Sequence, residues 1–411
     1  MRNFPCLLLV FQVALPGSLS ALAEGQVSPR ASQKNSPSLS NASRKTDMPT
    51  FETLKAMANA AREADEVPEA IRLYTELVGI RPNWTEGWWY LGTLYYEKDQ
   101  YTDGARAFQR FVTLEPKNGQ GWAMLGLCKY QTKDYVTSLE HLGKGRELGL
   151  AGNEELARVV RYHQAVLLTL GRQFEAAQAL LNGFAVEHRE SDSVLDALGM
   201  AVLRISDPLE KLNSLQQEMI RQFGKAAFLA GERKASESRK LYDELEEHYR
   251  NRPNVAYAYG VSLLAEKEPE RAMTYFKEEL KRNPNHVASM LQIALQTMSS
   301  GKFEEALPYA KKASTVDPEN FAAYYALGRI YLGLNDVPSA ITMLVRASKV
   351  APDVPGVYFV LASAYTRAKK PAEAARARAE FARLEALDKE RRGEATAEDT
   401  KSDALEKSGP R

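Results

Sequence analysis

The sequence holds little from which a chemical site is ordinarily built. Its 411 residues include two cysteines and five histidines. Cys6 lies in an N-terminal apolar run, which leaves Cys128 as the single cysteine expected in a mature chain and excludes an intramolecular disulfide there. His141, His163, His188, His248 and His286 are dispersed, and no two stand at a metal-ligand spacing. Neither a phosphate-cradling GxxxxGK[ST] loop nor a GxSxG elbow occurs. Carboxylate pairs such as Glu304-Glu305, Glu278-Glu279 and Glu246-Glu247 fall at expected helix starts or on charged faces, where solvated roles dominate. Nothing here asks for a catalytic residue, a metal or a cofactor. Charge of one sign is lacking too. Lys and Arg number 54 against 53 Asp and Glu, so no net field draws in nucleic acid or an anionic membrane. Beyond the N-terminus no stretch approaches the roughly 18 apolar residues of a membrane span.

What is present begins with a targeting pattern. Arg2 is followed by a nearly all-apolar run from Phe4 to Leu15 and by Ala21-Leu22-Ala23, an A-x-A cleavage signal. The pattern predicts a signal peptide over 1–23, a mature start at Glu24, and an exported, periplasmic or secreted protein. Residues 24–48 are rich in serine and poor in apolar side chains, and read as a disordered linker. Asn41-Ala42-Ser43 and Asn83-Trp84-Thr85 fit the glycosylation sequon, which matters only in a eukaryotic source.

The dominant signal is a period of 34. Pro82 and Pro116 are 34 residues apart, as are Pro284, Pro318 and Pro352 in succession. Aligned on these prolines, units start at 51, 85, 119, 253, 287, 321 and 355, with looser copies near 157, 192 and 217. Three residues after the start comes a large side chain such as Trp88, Trp122 or Tyr324. Six after comes Leu91, Leu125 or Leu327, and a small residue follows at once: Gly92, Gly126, Gly328. Offsets of 3, 6, 7 and 10 share one helix face. A second helix is expected around Gly104, Ser138, Ala306 or Ala340, ended by the proline.

These residues carry a resemblance to the tetratricopeptide repeat family: Trp88, Leu91, Gly92, Tyr95, Gly104, Phe108 and Pro116, with counterparts Tyr324, Leu327, Gly328, Tyr331, Ala340, Leu344 and Pro352. The C-terminal units also resemble exported repeat proteins of soil bacteria such as the acidobacteria. The resemblance implies an all-α, right-handed superhelical solenoid of about nine to ten helix pairs. Regular units are expected over 49–150, irregular ones over 151–252, and regular ones with a capping helix over 253–388. A disordered polar tail is expected over 389–411. The irregular stretch reads as a first helix with a short second one over SVLDALGMAVLRISDPLEKLNS, then a restarted pair.

In this family the first helix of each unit lines the concave wall, with contact residues one, four, eight and eleven after the unit start. Transferred here, those offsets place Trp89, Thr93, Tyr96, Tyr130, Tyr257, Tyr325, Arg329 and Phe359 on a binding groove, together with Arg367 one step past the last offset, while Trp88 at the repeated large-residue position is expected in the core. The offsets also pick out Lys55, Asn59 and Arg62, and Leu291, Leu295 and Met298. Lys55 and Asn59 match the start of the family's carboxylate clamp, but Thr93, Ala123 and Leu127 break it. The expected function is a non-catalytic scaffold that holds a protein or peptide in an aromatic and apolar groove, with Tyr, Trp and Arg as anchors. The alternatives are a self-associating structural component, an accessory subunit of an envelope complex, and an enzyme with its site in 190–252.

Overall fold

The computed structural model describes residues 49–150 and 152–406, with side chains described up to 387 and at Lys389. The expected signal peptide, the linker, the Asn41 sequon and residues 407–411 lie outside them. Among the described residues there are nineteen α-helices and no strand. The first eight helices form four pairs: α1 (Phe51–Glu63) with α2 (Val67–Ile80), α3 (Thr85–Glu97) with α4 (Tyr101–Leu114), α5 (Gly119–Gln131) with α6 (Tyr135–Glu147), and α7 (Glu154–Leu170) with α8 (Phe174–Val186). A lone helix, α9 (Asp192–Val202), follows. Five more pairs complete the array: α10 (Ser214–Gly231) with α11 (Ala235–Tyr249), α12 (Val255–Ala265) with α13 (Pro269–Arg282), α14 (Val287–Ser299) with α15 (Phe303–Val316), α16 (Phe321–Gly333) with α17 (Val337–Val350), and α18 (Pro355–Arg367) with α19 (Pro371–Glu406).

Local chemistry sets the helix ends. Within a pair the first helix closes on one residue of positive φ, such as Asp65, Asp99, Lys133 or Asn335. At Asp99 this lets Gln100 N donate to Tyr95 O (2.9 Å), which satisfies a carbonyl the helix would leave open. Between units the second helix stops just before its proline, with Arg81 N on Leu77 O ahead of Pro82.

Small residues let the two helices of a pair approach. A Cβ on Gly92 would lie 2.9 Å from the Phe108 ring, and one on Gly328 would lie 2.4 Å from Leu344 Cγ. In α5/α6, Ser138 Oγ donates to Gly126 O (2.8 Å) across the crossing. Ser238 Oγ donates to Ala226 O (2.8 Å) in the same way, so α10/α11 is a pair of the regular kind.

The irregular stretch is resolved by that pairing. The short second helix expected after α9 is only a 3-10 turn, Leu209–Lys211. In its place α10 crosses α9 at a Gly-on-Gly contact. A Cβ on Gly199 would sit 1.8 Å from Ile220 O, and one on Gly224 would sit 1.9 Å from Leu195 O. Asp196, nearly buried, binds Arg221 through two bonds of 2.8 and 2.7 Å across the same crossing. One apolar cluster runs from Ala165 to Ile293 and includes both helices, so the core passes through this region without a break. The C-terminal end differs as well. The tail expected to be disordered from 389 continues α19 to Glu406. Its Ala, Glu, Lys and Arg content suits a helix, and no proline interrupts it before Pro410.

Candidate functional site: the first-helix wall and the open C-terminal end

The side chains expected to share one groove separate into three environments. Trp89 and Tyr257 are core residues, a correction to the expected groove. Trp89 is 6% exposed and packs on Phe108 and Phe111 of α4, with ring centroids 5.7 and 5.2 Å apart. Tyr257 is 5% exposed and meets Phe276 (5.8 Å) and His286 (5.0 Å). The physical reason is that at these two sites the side chain packs on phenylalanine of its own second helix, Phe108 and Phe111 for Trp89 and Phe276 for Tyr257. Trp88, expected in the core, is half-buried. It lies along a cleft with Val78 of α2 and Arg110 of α4, and its Nε1 donates to Pro82 O at 2.9 Å. Trp122 on Pro116 O (2.9 Å) and Tyr358 on Pro352 O (3.0 Å) repeat this bond. In these three units the third position therefore ties the unit to the proline turn before it.

Thr93, Tyr96, Tyr130, Tyr325 and Arg329 stay accessible on the first helices. Thr93 is half-buried and donates to Tyr90 O (2.9 Å). Tyr96 meets Tyr101 edge-on at 5.3 Å. Tyr130 lies 5.8 Å from Tyr135 and 4.6 Å from His163. Burial pushes the Tyr130 hydroxyl up to about 12, so it acts as a neutral hydrogen-bonding group. Burial also lowers His163, and a bond of 2.8 Å from its Nδ1–H to Val159 O fixes the ring. Farther along, the Arg329 guanidinium lies 5.7 Å from the Tyr325 ring. The remaining first-helix positions are engaged internally. Lys55 pairs with Glu86 at 2.8 Å, and Asn59 accepts from the Tyr74 hydroxyl at 2.6 Å. Arg62 stacks on Tyr90 at 3.9 Å. Leu291 and Leu295 are half-buried, and Met298 is buried.

Phe359 and Arg367 lie at the open end of the array. Phe359 is 62% exposed and meets Phe381 of α19 at 5.5 Å. Arg367 Nη1 donates to Leu332 O (3.0 Å), and Arg378 Nη2 donates to Thr366 Oγ1 (2.8 Å). Phe381 and Arg378 escaped sequence reasoning about the groove. A signal was available, because Phe381 stands 26 residues after its unit start, as Phe111 does.

Cys128 is fully buried, and burial pushes its thiol up to about 12. Among the described residues no group of three or more His, Cys, Asp or Glu could hold a metal ion, and no helix is long and apolar enough to cross a membrane.

Comparison with known proteins gives matches to parts of the chain. Residues 91–142 and 297–358 each match a family model described as tetratricopeptide repeat. Human tetratricopeptide repeat protein 21A is 26% identical over 141 residues, which is 32% of this chain and 10% of that protein. The chain thus spans about a tenth of that relative's length. The solved structure of MamA 41-end from Desulfovibrio magneticus RS-1 superposes with a TM-score of 0.38 at 22% identity, over 41% of this chain and 96% of that one. The APC/C hetero-tetramer Cut9-Hcn1 gives a TM-score of 0.36 at 11% identity, over 82% and 88%. With the helix pairs described above, the family matches place tetratricopeptide repeats at 91–142 and 297–358 of an all-α solenoid.

Proposed function

We propose that the protein is a non-catalytic scaffold that takes a protein or peptide along the wall formed by its first helices. The observation that carries this reading is the accessible Tyr, Thr and Arg set on that wall: Thr93, Tyr96 and Tyr130 toward one end, Tyr325 and Arg329 toward the other. Tyrosine and arginine supply contact area and fixed donors, and they dominate interface energetics. Tetratricopeptide repeat matches in both halves support a protein partner, as does the repeat architecture itself. The test is recovery of partners from the native envelope fraction on wild type and on the double variant Tyr325→Ala, Arg329→Ala. Val136→Ser, at an 85% exposed site on the second helix α6, is the control. A partner held by wild type and by the control, and lost from the double variant, supports the reading. Equal recovery on all three sinks it. The proposal includes export, from the Phe4–Leu15 run and Ala21-Leu22-Ala23. N-terminal sequencing of the native protein should begin at Glu24, and a chain that still starts at Met1 removes that part.

A further inference from the structure

The two ends of the described array differ, and each carries one half of a contact that the interior units complete. Two residues after the unit start, the residue is buried in every regular unit that has a predecessor: Gly87, Gly121, Val255, Ser289, Ala323 and Val357. A Cβ on Gly121 would lie 2.6 Å from the Phe111 ring, so this position rests on the second helix of the unit before. In the first unit the same position is Thr53, and it is exposed. Ala56 and Ala60 are exposed along the same helix, with Met57 at 46%. The opposite end presents the other half of that contact. Trp89 meets Phe111 at 5.2 Å and Phe359 meets Phe381 at 5.5 Å, each pair separated by 22 residues in sequence. Trp89 and Phe111 are each 6% exposed within the array, whereas Phe359 is 62% exposed. Phe359 and Phe381 line an open cleft of ≈ 490 Å³ with Thr366, Arg367 and Arg378.

Charge distinguishes the ends in the same sense. The ionic side chains of the cleft are Arg367 and Arg378, bonded to neutral acceptors, and exposed Lys369 and Lys370 adjoin it. Around the first helix, Glu52, Glu63, Asp65 and Glu66 are exposed; Glu52 lies 3.5 Å from Arg81 and Glu63 4.0 Å from Arg62, so Asp65 and Glu66 carry the acidic excess.

We propose that the C-terminal cleft takes the first helix, Phe51–Glu63, of a second copy of this chain, so that copies stack head to tail in the register of the internal repeats. Thr53 of the incoming copy then lies over Phe381 where Gly121 lies over Phe111, with the half-buried Phe381 ring turning into the open cleft to admit the larger side chain, and Asp65 and Glu66 face Arg367 and Arg378. The contact is heterologous, so growth continues unless the rotation closes a ring. The proposal does not depend on the wall reading, because Tyr325 and Arg329 are untouched by the variants below.

Sedimentation velocity of the full chain over a wide concentration range, at low and at raised salt, tests it. The mass of wild type should rise with concentration and fall with salt, because the end charges are exposed. Phe359→Glu and Ala60→Arg each remove one end at an exposed site. Each should stay monomeric with unchanged circular dichroism and melting. Mixed together, they should form a dimer and stop there, since each keeps one sound end. A monomeric wild type at every concentration overturns the proposal, as does undiminished association in either variant. A mixture that stays monomeric, or that grows beyond the dimer, overturns it too.

Discussion

Two adjacent tryptophans show how sharply neighbouring residues on a helix can differ. Trp89 is enclosed by Phe108 and Phe111, so Trp89→Ala should cost about 3–5 kcal/mol, the usual range for a buried tryptophan. Trp88 is half-buried and anchored by one bond to Pro82 O, so Trp88→Ala should cost clearly less in the same urea titration. Acrylamide should quench more fluorescence in Trp89→Phe, which keeps Trp88, than in Trp88→Phe; the reverse order would contradict the placement. The 34-residue period was legible because each proline and each small residue answers to backbone sterics. Which tryptophan was core was not legible from the transferred offsets, because the fourth position is decided by what the second helix sends across. Phe108 and Phe111 were the readable sign. His286 gives a second prediction. It caps α14, with Nδ1 accepting from Ser289 N at 3.1 Å, a role that requires the neutral ring. Burial, aided by Arg204, lowers its pKa from 6.5 to about 4. The folded value lies below the unfolded one, so the stabilisation is complete above about pH 6.5 and is lost as pH falls toward about 4, by up to about 3 kcal/mol. Melting followed across that window should show a smaller fall in His286→Asn, which keeps a capping oxygen. An identical fall would remove His286 from the account.

At the scale of elements, glycines do two different jobs. Where a regular pair crosses, the neighbour is a side chain, as at Gly92 against the Phe108 ring at 2.9 Å. A ring can swing, and Gly92→Ala should cost on the order of 1 kcal/mol. Where α9 meets α10, the neighbour is backbone: Ile220 O at 1.8 Å for Gly199, and Leu195 O at 1.9 Å for Gly224. Only a shift of a whole helix makes room, and that shift also stretches the Asp196–Arg221 bonds. Gly199→Ala should therefore lie at or above the top of the roughly 1–3 kcal/mol range for overpacking. Comparing the two alanine variants by urea midpoint checks this, and equal costs would mean that the α9–α10 contact is looser than described. The sequence marked 151–252 as irregular from the loss of its proline at Leu150 and the change of spacing. It did not show that two first-type helices lie against each other, because Gly199 and Gly224 each resemble the small residue of an ordinary pair. The extension of α19 to Glu406 was likewise hidden, since a polar Ala- and Glu-rich segment reads equally as tail or as exposed helix.

At the scale of the whole molecule, a solenoid is a chain of neighbours, and its cooperativity is only as strong as its weakest interface. The apolar cluster that runs from Ala165 to Ile293 links α7 and α8 to the C-terminal regular units through the α9–α10 crossing. The four tryptophans, Trp84, Trp88, Trp89 and Trp122, all lie on one side of that crossing. Tryptophan fluorescence thus reports the N-terminal units alone, while far-UV circular dichroism reports every helix. In the wild type the intact crossing should hold the two urea transitions together. Gly224→Leu forces a branched side chain against Leu195 O and should weaken the crossing without touching either half. Fluorescence should then keep a transition of its own while the dichroism broadens into two steps, because distant units no longer share an interface. If the two probes stay coincident in Gly224→Leu, the halves are coupled by something other than this crossing. If they already separate in the wild type, the halves are independent units joined by α9 and α10, and the continuous cluster does not make them fold as one.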